Sequence, residues 1–138
     1  MSKILTDWQR ERFDEFERAI HKRIMCFRDG RYRGVGKTYL LNELGFTLQA
    51  LGYKVLVYTP NKKMEYFAEN FIYSSDNLRG IDNLKTVILF DEVEVFSDEA
   101  QELIKLFKQL RIPIVGFVRY KDEEPKQFKM EYECKWDF

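Results

Sequence analysis

The sequence predicts an α/β fold in which helices cover both faces of a mostly parallel sheet. Three observations predict it. Runs of strand length alternate with helical patterns along most of the chain, and the connections between them are short. One run, Thr86-Val-Ile-Leu-Phe90, is apolar at successive positions, as a central parallel strand covered on both faces has to be. Right-handed crossovers then bring the carboxyl ends of such strands to one side of the sheet.

The first element is a helix. Thr6 and Gln9 have the spacing of a capping box, in which each side chain satisfies an orphan backbone donor. Trp8, Phe13, Phe16, Ala19, Ile20 and Ile24 follow helical spacing, with charged residues on the other faces. Residues 24–28, Ile-Met-Cys-Phe-Arg, then form a short strand that runs into a Gly- and Arg-rich turn. From Lys37 a helical pattern returns through Leu40, Leu41, Leu44 and Leu48 and stops at Gly52. Tyr53 to Tyr58 is a β-branched and aromatic strand that Thr59-Pro60-Asn61 ends. Met64, Phe67, Ala68 and Phe71 predict a helix within 61–73. Thr86 to Phe90 is the buried strand, with Asp91 and Glu92 expected just past its end. Ser97 caps a helix carrying Leu103, Ile104, Phe107 and Leu110, and Ile112 to Val118 is a fourth strand.

The last segment has a different period. Phe128, Met130, Tyr132, Cys134, Trp136 and Phe138 alternate with charged residues, the pattern of a strand with one wet face. Residues 120–127 are too few for a parallel crossover, so this strand is expected to be antiparallel and near an edge.

The chain has 138 residues, of which 45% are apolar, enough for one core and not two. The expected organisation is one domain over 1–138, with an N-terminal helix (1–23), a core (24–119) and a terminal strand (120–138). Lys and Arg total 23 and so do Asp and Glu, but residues 1–37 hold ten basic against six acidic residues. A neutral total argues against coating of nucleic acid or an anionic membrane by bulk charge, because such binding scales with the phosphates neutralised. No uninterrupted apolar run exceeds four residues, which predicts neither a membrane span nor a signal peptide and points to the cytoplasm. Cys26 and Cys134 have no metal-site spacing and are expected to be reduced core thiols, and His21 to be a solvated surface residue.

Gly34-Val35-Gly36-Lys37-Thr38 follows a strand and opens a helix, the setting of a phosphate-binding loop. Glycines let the main chain wrap an anion, and the amides at the helix start point into the hollow with the positive end of the helix dipole. Lys37 then neutralises the β- and γ-phosphates, and Thr38 offers a hydroxyl to Mg²⁺. The full pattern needs glycine at position 31, where this chain has Arg31. Arg31 and Arg33 either lend charge to the phosphates or mark a loop that binds weakly, and a glycine-rich turn without a ligand is the plain alternative. Arg28, Arg31, Arg33 and Lys37 put four cations in ten residues, which calls for an anion. The second element, Val87-Ile-Leu-Phe-Asp91-Glu92, ends a buried strand with two carboxylates 54 positions after Lys37. In a phosphate-loop enzyme Asp91 holds the Mg²⁺ shell and Glu92 polarises the attacking water. Taken alone, such a pair is a solvated strand end.

These residues resemble the Walker A and Walker B motifs of P-loop NTPases, and Glu92 resembles the glutamate of the additional-strand, catalytic-glutamate division. That resemblance implies a three-layer P-loop sheet of parallel order 5-1-4-3-2, with strand 112–118 between the two motif strands. It also implies a γ-phosphate sensor at the end of that strand, where this chain has Arg119. The phrases Gly34-Val-Gly-Lys-Thr-Tyr-Leu-Leu, Leu51-Gly-Tyr-Lys-Val-Leu-Val-Tyr-Thr-Pro and Asp82-Asn-Leu-Lys-Thr-Val-Ile-Leu-Phe-Asp-Glu-Val are similar to the ATPase cores of helicase loaders and, less closely, of phage terminases. This likeness covers about residues 24–119 and implies a small phage-type ATPase, in the host cytoplasm if phage-encoded. Thr59-Pro60-Asn61-Lys62-Lys63 would then lie where such proteins touch a nucleic acid backbone.

The expected function is Mg²⁺-dependent ATP binding and hydrolysis by a DNA-associated motor or loader. DNA or a DNA-processing protein is the expected partner, a homo-oligomer supplying an arginine in trans is possible, and no membrane partner is expected. Two alternatives stand beside it. One is a nucleoside or nucleotide kinase, which needs a second substrate pocket. The other is a non-hydrolysing interaction module in which Arg31 fills the ligand's place and the terminal strand adds to a partner's sheet.

Overall fold

The computed structural model describes residues 5–30, 36–74 and 80–119, with 61–63 as backbone only. Helix α1 spans Asp7–Lys22, strand β1 Cys26–Asp29, helix α2 Lys37–Ala50, strand β2 Lys54–Tyr58, strand β3 Thr86–Glu94, helix α3 Asp98–Gln109 and strand β4 Ile114–Arg119. Helices and strands follow the order that the periodicity predicts, except that no α-helix stands between β2 and β3 among the described residues. The capping box at Thr6 and Gln9 starts α1, and the Ser97 hydroxyl caps α3. His21 is exposed in the last turn of α1, and Cys26 is buried in β1.

The four strands are all parallel, in the order β1-β4-β3-β2. Strand β4 therefore lies between β1 and β3, the two strands that carry the motifs. The described sheet thus has four strands and not the expected five, and it has no antiparallel edge. The segment expected to supply that edge strand, 128–138, lies outside the described residues.

Residues paired in register share a face, so the contacts of a few rings place the helices. Phe117 stacks on Trp8 and meets Phe16 edge-on, which puts α1 on its face. Val55 faces the same side and lies under Gly45 of α2. The opposite face carries a chain of rings, from Phe27 to Phe90 to Tyr58 to Tyr73 to Phe107 of α3. Helices α1 and α2 thus cover one face and α3 the other. Phe16, Phe27, Phe71, Phe90, Phe107 and Phe117 are fully buried between these layers, and this is the apolar burial that stabilises the sheet. Among the described residues no helix is long and apolar enough to cross a membrane.

Two local expectations are corrected. Residues 61–73 do not form an α-helix: they make two short 3-10 segments, Asn61–Tyr66 and Glu69–Phe71, separated by extended Phe67 and Ala68. Met64 and Phe67, like Ala68 and Phe71, are three apart, a spacing that suits a 3-10 turn as well as an α-helix, and Phe67 and Phe71 are buried. The segment ends against β2, where Tyr73 N–H donates to the Val57 carbonyl at 2.8 Å.

The second correction concerns β3, which does not end at Phe90. It continues to Glu94 through an irregularity in its pairing with β4. Phe90 pairs with Gly116 and Val93 with Val118, so Asp91 and Glu92 stand opposite Phe117 alone. Two residues against one is a β-bulge, which bends a strand and re-aims its side chains.

Candidate functional site

Gly36 is the N-cap of α2 and has φ of +78°, the left-handed region that glycine enters without a Cβ clash. Glycine brings no side-chain oxygen to the N–H groups of the first turn, so those donors can serve an anion. Lys37 opens the helix and is buried, at 6% exposure, and Thr38 follows half-buried.

The Thr38 hydroxyl donates to Asp91 Oδ2 at 2.7 Å, across 53 positions of sequence. Asp91 is fully buried in the bulge of β3, and its carbonyl accepts the Thr59 hydroxyl at 3.0 Å. The end of β2 and the start of α2 are thereby both tied to Asp91, one through its carbonyl and the other through its carboxylate. Glu92, next in the bulge, has φ of +55° and is half-buried. A bulky residue in the left-handed region costs about 1–2 kcal/mol, and such strain concentrates at functional positions.

Glycine at 116 makes the bulge possible. A Cβ there would lie 2.0 Å from the Phe90 carbonyl oxygen, so only glycine lets β4 approach β3 this closely just before Asp91. The loop side is tied down by Gln9, whose Nε2 donates to the Gly36 carbonyl at 3.2 Å.

No protein-family model matches this chain, and no curated protein matches it. The reading of the site therefore rests on its own geometry and on the motifs.

Of the expected site residues, the fold brings Thr38 into contact with Asp91, with Gly36 and Lys37 beside Thr38 at the start of α2 and Glu92 next to Asp91 in the bulge of β3. Arg119 ends β4 exposed, in register with Glu94 and not with Asp91. Arg31, Arg33, Gly34 and Val35 lie outside the described residues. Arg28, one of the four cations near the loop, is paired within the fold. Its Nε donates to Glu15 Oε1 at 2.6 Å, and its Nη2 bonds Glu15 Oε2. This partly buried two-point pair joins β1 to α1.

The Thr38 hydroxyl and Asp91 carboxylate are the kind of donor set Mg²⁺ takes, one or two protein oxygens with the rest of its shell from water and phosphate. Among the described residues no three His, Cys, Asp or Glu gather into a metal site, and Mg²⁺ held in this way needs no such group.

A cavity of about 570 Å³ opens at the carboxyl ends of β2 and β3. Tyr58, Thr59, Tyr73, Glu94, Ser97 and Glu99 are in its wall. Burial, and then the hydrogen bond and charge of Glu99, raise the Tyr58 phenol well above its ordinary pKa. Burial and the same carboxylate raise Tyr73.

The periodicity points to Lys37, Thr38, Asp91 and Glu92, but it assigns Gln9 only a capping role. No local signal connects Gln9 with a glycine 27 positions away. Glu15 is equally hidden, since on sequence it is one more charge on an amphipathic helix.

Proposed function

We propose that this chain is a Mg²⁺-dependent ATPase of the P-loop type, working as a motor or loader subunit with DNA or a DNA-processing protein. The observation that carries the reading is the 2.7 Å bond from Thr38 to Asp91, which joins the end of the glycine-lysine-threonine loop to the acidic strand end. In this reading the first-turn amides of α2 bind phosphate oxygens, and Lys37 neutralises the β- and γ-phosphates. Thr38 and Asp91 hold the metal, which would supply charge neutralisation of the phosphates. Glu92, the neighbour of Asp91 in the bulge, orients and polarises the attacking water. The motif assigns Arg31, Arg33, Gly34 and Val35 to the phosphates, and Arg119 to the γ-phosphate. The five-strand order 5-1-4-3-2 belongs to the same reading, because β1 is an edge of the described sheet and that order sets a further strand beside it. The DNA partner rests on the likeness to loaders and terminases, with residues 59–63 as the candidate contact.

ATP turnover with and without DNA tests the reading. Turnover stimulated by DNA is the expected result. Lys37→Ala is expected to abolish ATP binding, and Glu92→Gln to keep binding while losing hydrolysis by at least about a hundredfold. Equal turnover in Glu92→Gln and the parent removes Glu92 from the mechanism. An absence of ATP binding at millimolar concentration sinks the proposal and favours the interaction module.

The cavity at the ends of β2 and β3 favours a second reading, phosphoryl transfer to a bound acceptor such as a nucleoside. Its size is that of a small-molecule pocket, and Thr59 is shared between its wall and Asp91. The two readings part on the fate of the γ-phosphate. Release as inorganic phosphate supports the ATPase, and appearance on an added nucleoside supports the kinase.

A further inference from the structure

Gln9 is a buried polar residue of α1, 6% exposed, and both ends of its side-chain amide are engaged. Its Oε1 accepts the Thr6 N–H at 2.9 Å, one half of the capping box. Its Nε2 donates to the Gly36 carbonyl at 3.2 Å. The same carbonyl accepts the Leu40 N–H at 3.0 Å, the first hydrogen bond of α2. In a trans peptide the C=O and N–H of one unit point in opposite directions. A Gly36 carbonyl held toward α2 and Gln9 therefore turns the Lys37 N–H outward past the helix start, where an anion is received. The fit is close, since a Cβ at position 36 would lie 2.3 Å from Gln9 Nε2.

We propose that Gln9 is a positioning residue of the phosphate-binding loop. It fixes the peptide between residues 36 and 37 from outside and makes the start of α1 part of the loop's support. The inference rests on the nucleotide reading of this site and adds to it a residue from a helix outside the motifs. Because the carbonyl is set before ligand arrives, less ordering remains to be done on binding, and affinity rises accordingly.

Three variants of the full chain separate this role from capping. Gln9→Glu keeps an acceptor for the Thr6 N–H but has no N–H to give Gly36. Gln9→Met removes the donor without adding a charge near the phosphates. Thr6→Ala removes the hydroxyl's half of the capping box and leaves the Gln9 donor in place. The readouts are amide hydrogen exchange over residues 36–41 without nucleotide, and the affinity for ATP with Mg²⁺.

Gln9→Glu and Gln9→Met are expected to exchange faster over 36–41 and to bind about tenfold more weakly, the worth of one buried hydrogen bond. Thr6→Ala is expected to match the parent in both readouts even where its melting temperature falls. Unchanged exchange over 36–41 in Gln9→Glu, or parental affinity in Gln9→Met beside an ATP-binding parent, overturns this inference and leaves the nucleotide reading standing. A parent that holds no ATP overturns both.

Discussion

Glu92 holds an unfavourable backbone conformation at the position where the proposed mechanism uses its carboxylate. At φ of +55° its Cβ crowds the backbone, a cost that glycine escapes. Glu→Gly in an ordinary strand lowers stability, because glycine loses more chain entropy on folding. Here the relief of strain offsets that loss. Glu92→Gly is therefore expected to keep the parental stability or to gain up to about 1 kcal/mol in urea denaturation, while turnover falls at least about a hundredfold. A clear loss of stability would show that the bulge does not strain this residue. Its sequence neighbours mark Glu92 as an acid after an apolar strand, but no local signal shows the positive φ. That angle comes from the mismatch of β3 with β4, two strands more than twenty positions apart.

At the scale of elements, the approach of β4 to β3 decides where the acids point. Gly116 is a glycine within an apolar strand, a pattern that accompanies a bulge or a close approach without saying to what. The structure supplies the other side, the Phe90 main chain. Gly116→Ala is expected to cost about 3 kcal/mol or more, read from the denaturation midpoint, since a backbone atom cannot move aside as a side chain can. A mild effect would mean that the strands separate easily and that the bulge is soft.

The packing of α3 on the ring chain gives a second element-scale expectation. The Tyr58 phenol is held neutral by burial and by its bond to Glu99, so its folded-state pKa lies above the unfolded value of 10. Stability from this group is complete below pH 10 and is lost as the pH rises from there through the folded-state value, because only the unfolded chain ionises readily. Denaturation midpoints measured from pH 9 upward are expected to fall, and to fall less steeply in Tyr58→Phe. An identical slope in both proteins would discard this coupling. The helical spacing within 61–73 teaches a related lesson. It locates the buried residues Phe67 and Phe71, yet a three-residue repeat does not distinguish two 3-10 turns from one α-helix, and the pairing of Tyr73 with β2 is a tertiary contact.

For the whole molecule, a ligand that binds only the folded chain raises its stability by mass action. On the proposed function, ATP with Mg²⁺ at a hundred times its dissociation constant is expected to add about 2.7 kcal/mol, visible as a rise in melting temperature of several degrees. Lys37→Ala is expected to show no such rise, and Glu92→Gln to show all of it. A rise that survives in Lys37→Ala would place the nucleotide elsewhere.

The order of elements, the core positions and the four residues Lys37, Thr38, Asp91 and Glu92 are determined by the sequence alone. They depend on periodicity and turn chemistry, which act over a few neighbouring residues. Only the tertiary structure decided that Thr38 touches Asp91, that Arg28 is taken by Glu15, and that Gln9 reaches Gly36. These contacts link residues 13 to 53 positions apart, and they exist because β4 inserts between the two motif strands while α1 and α2 pack on one face of the sheet. Strand order and close backbone approach are properties of packing, and no short stretch of sequence encodes them.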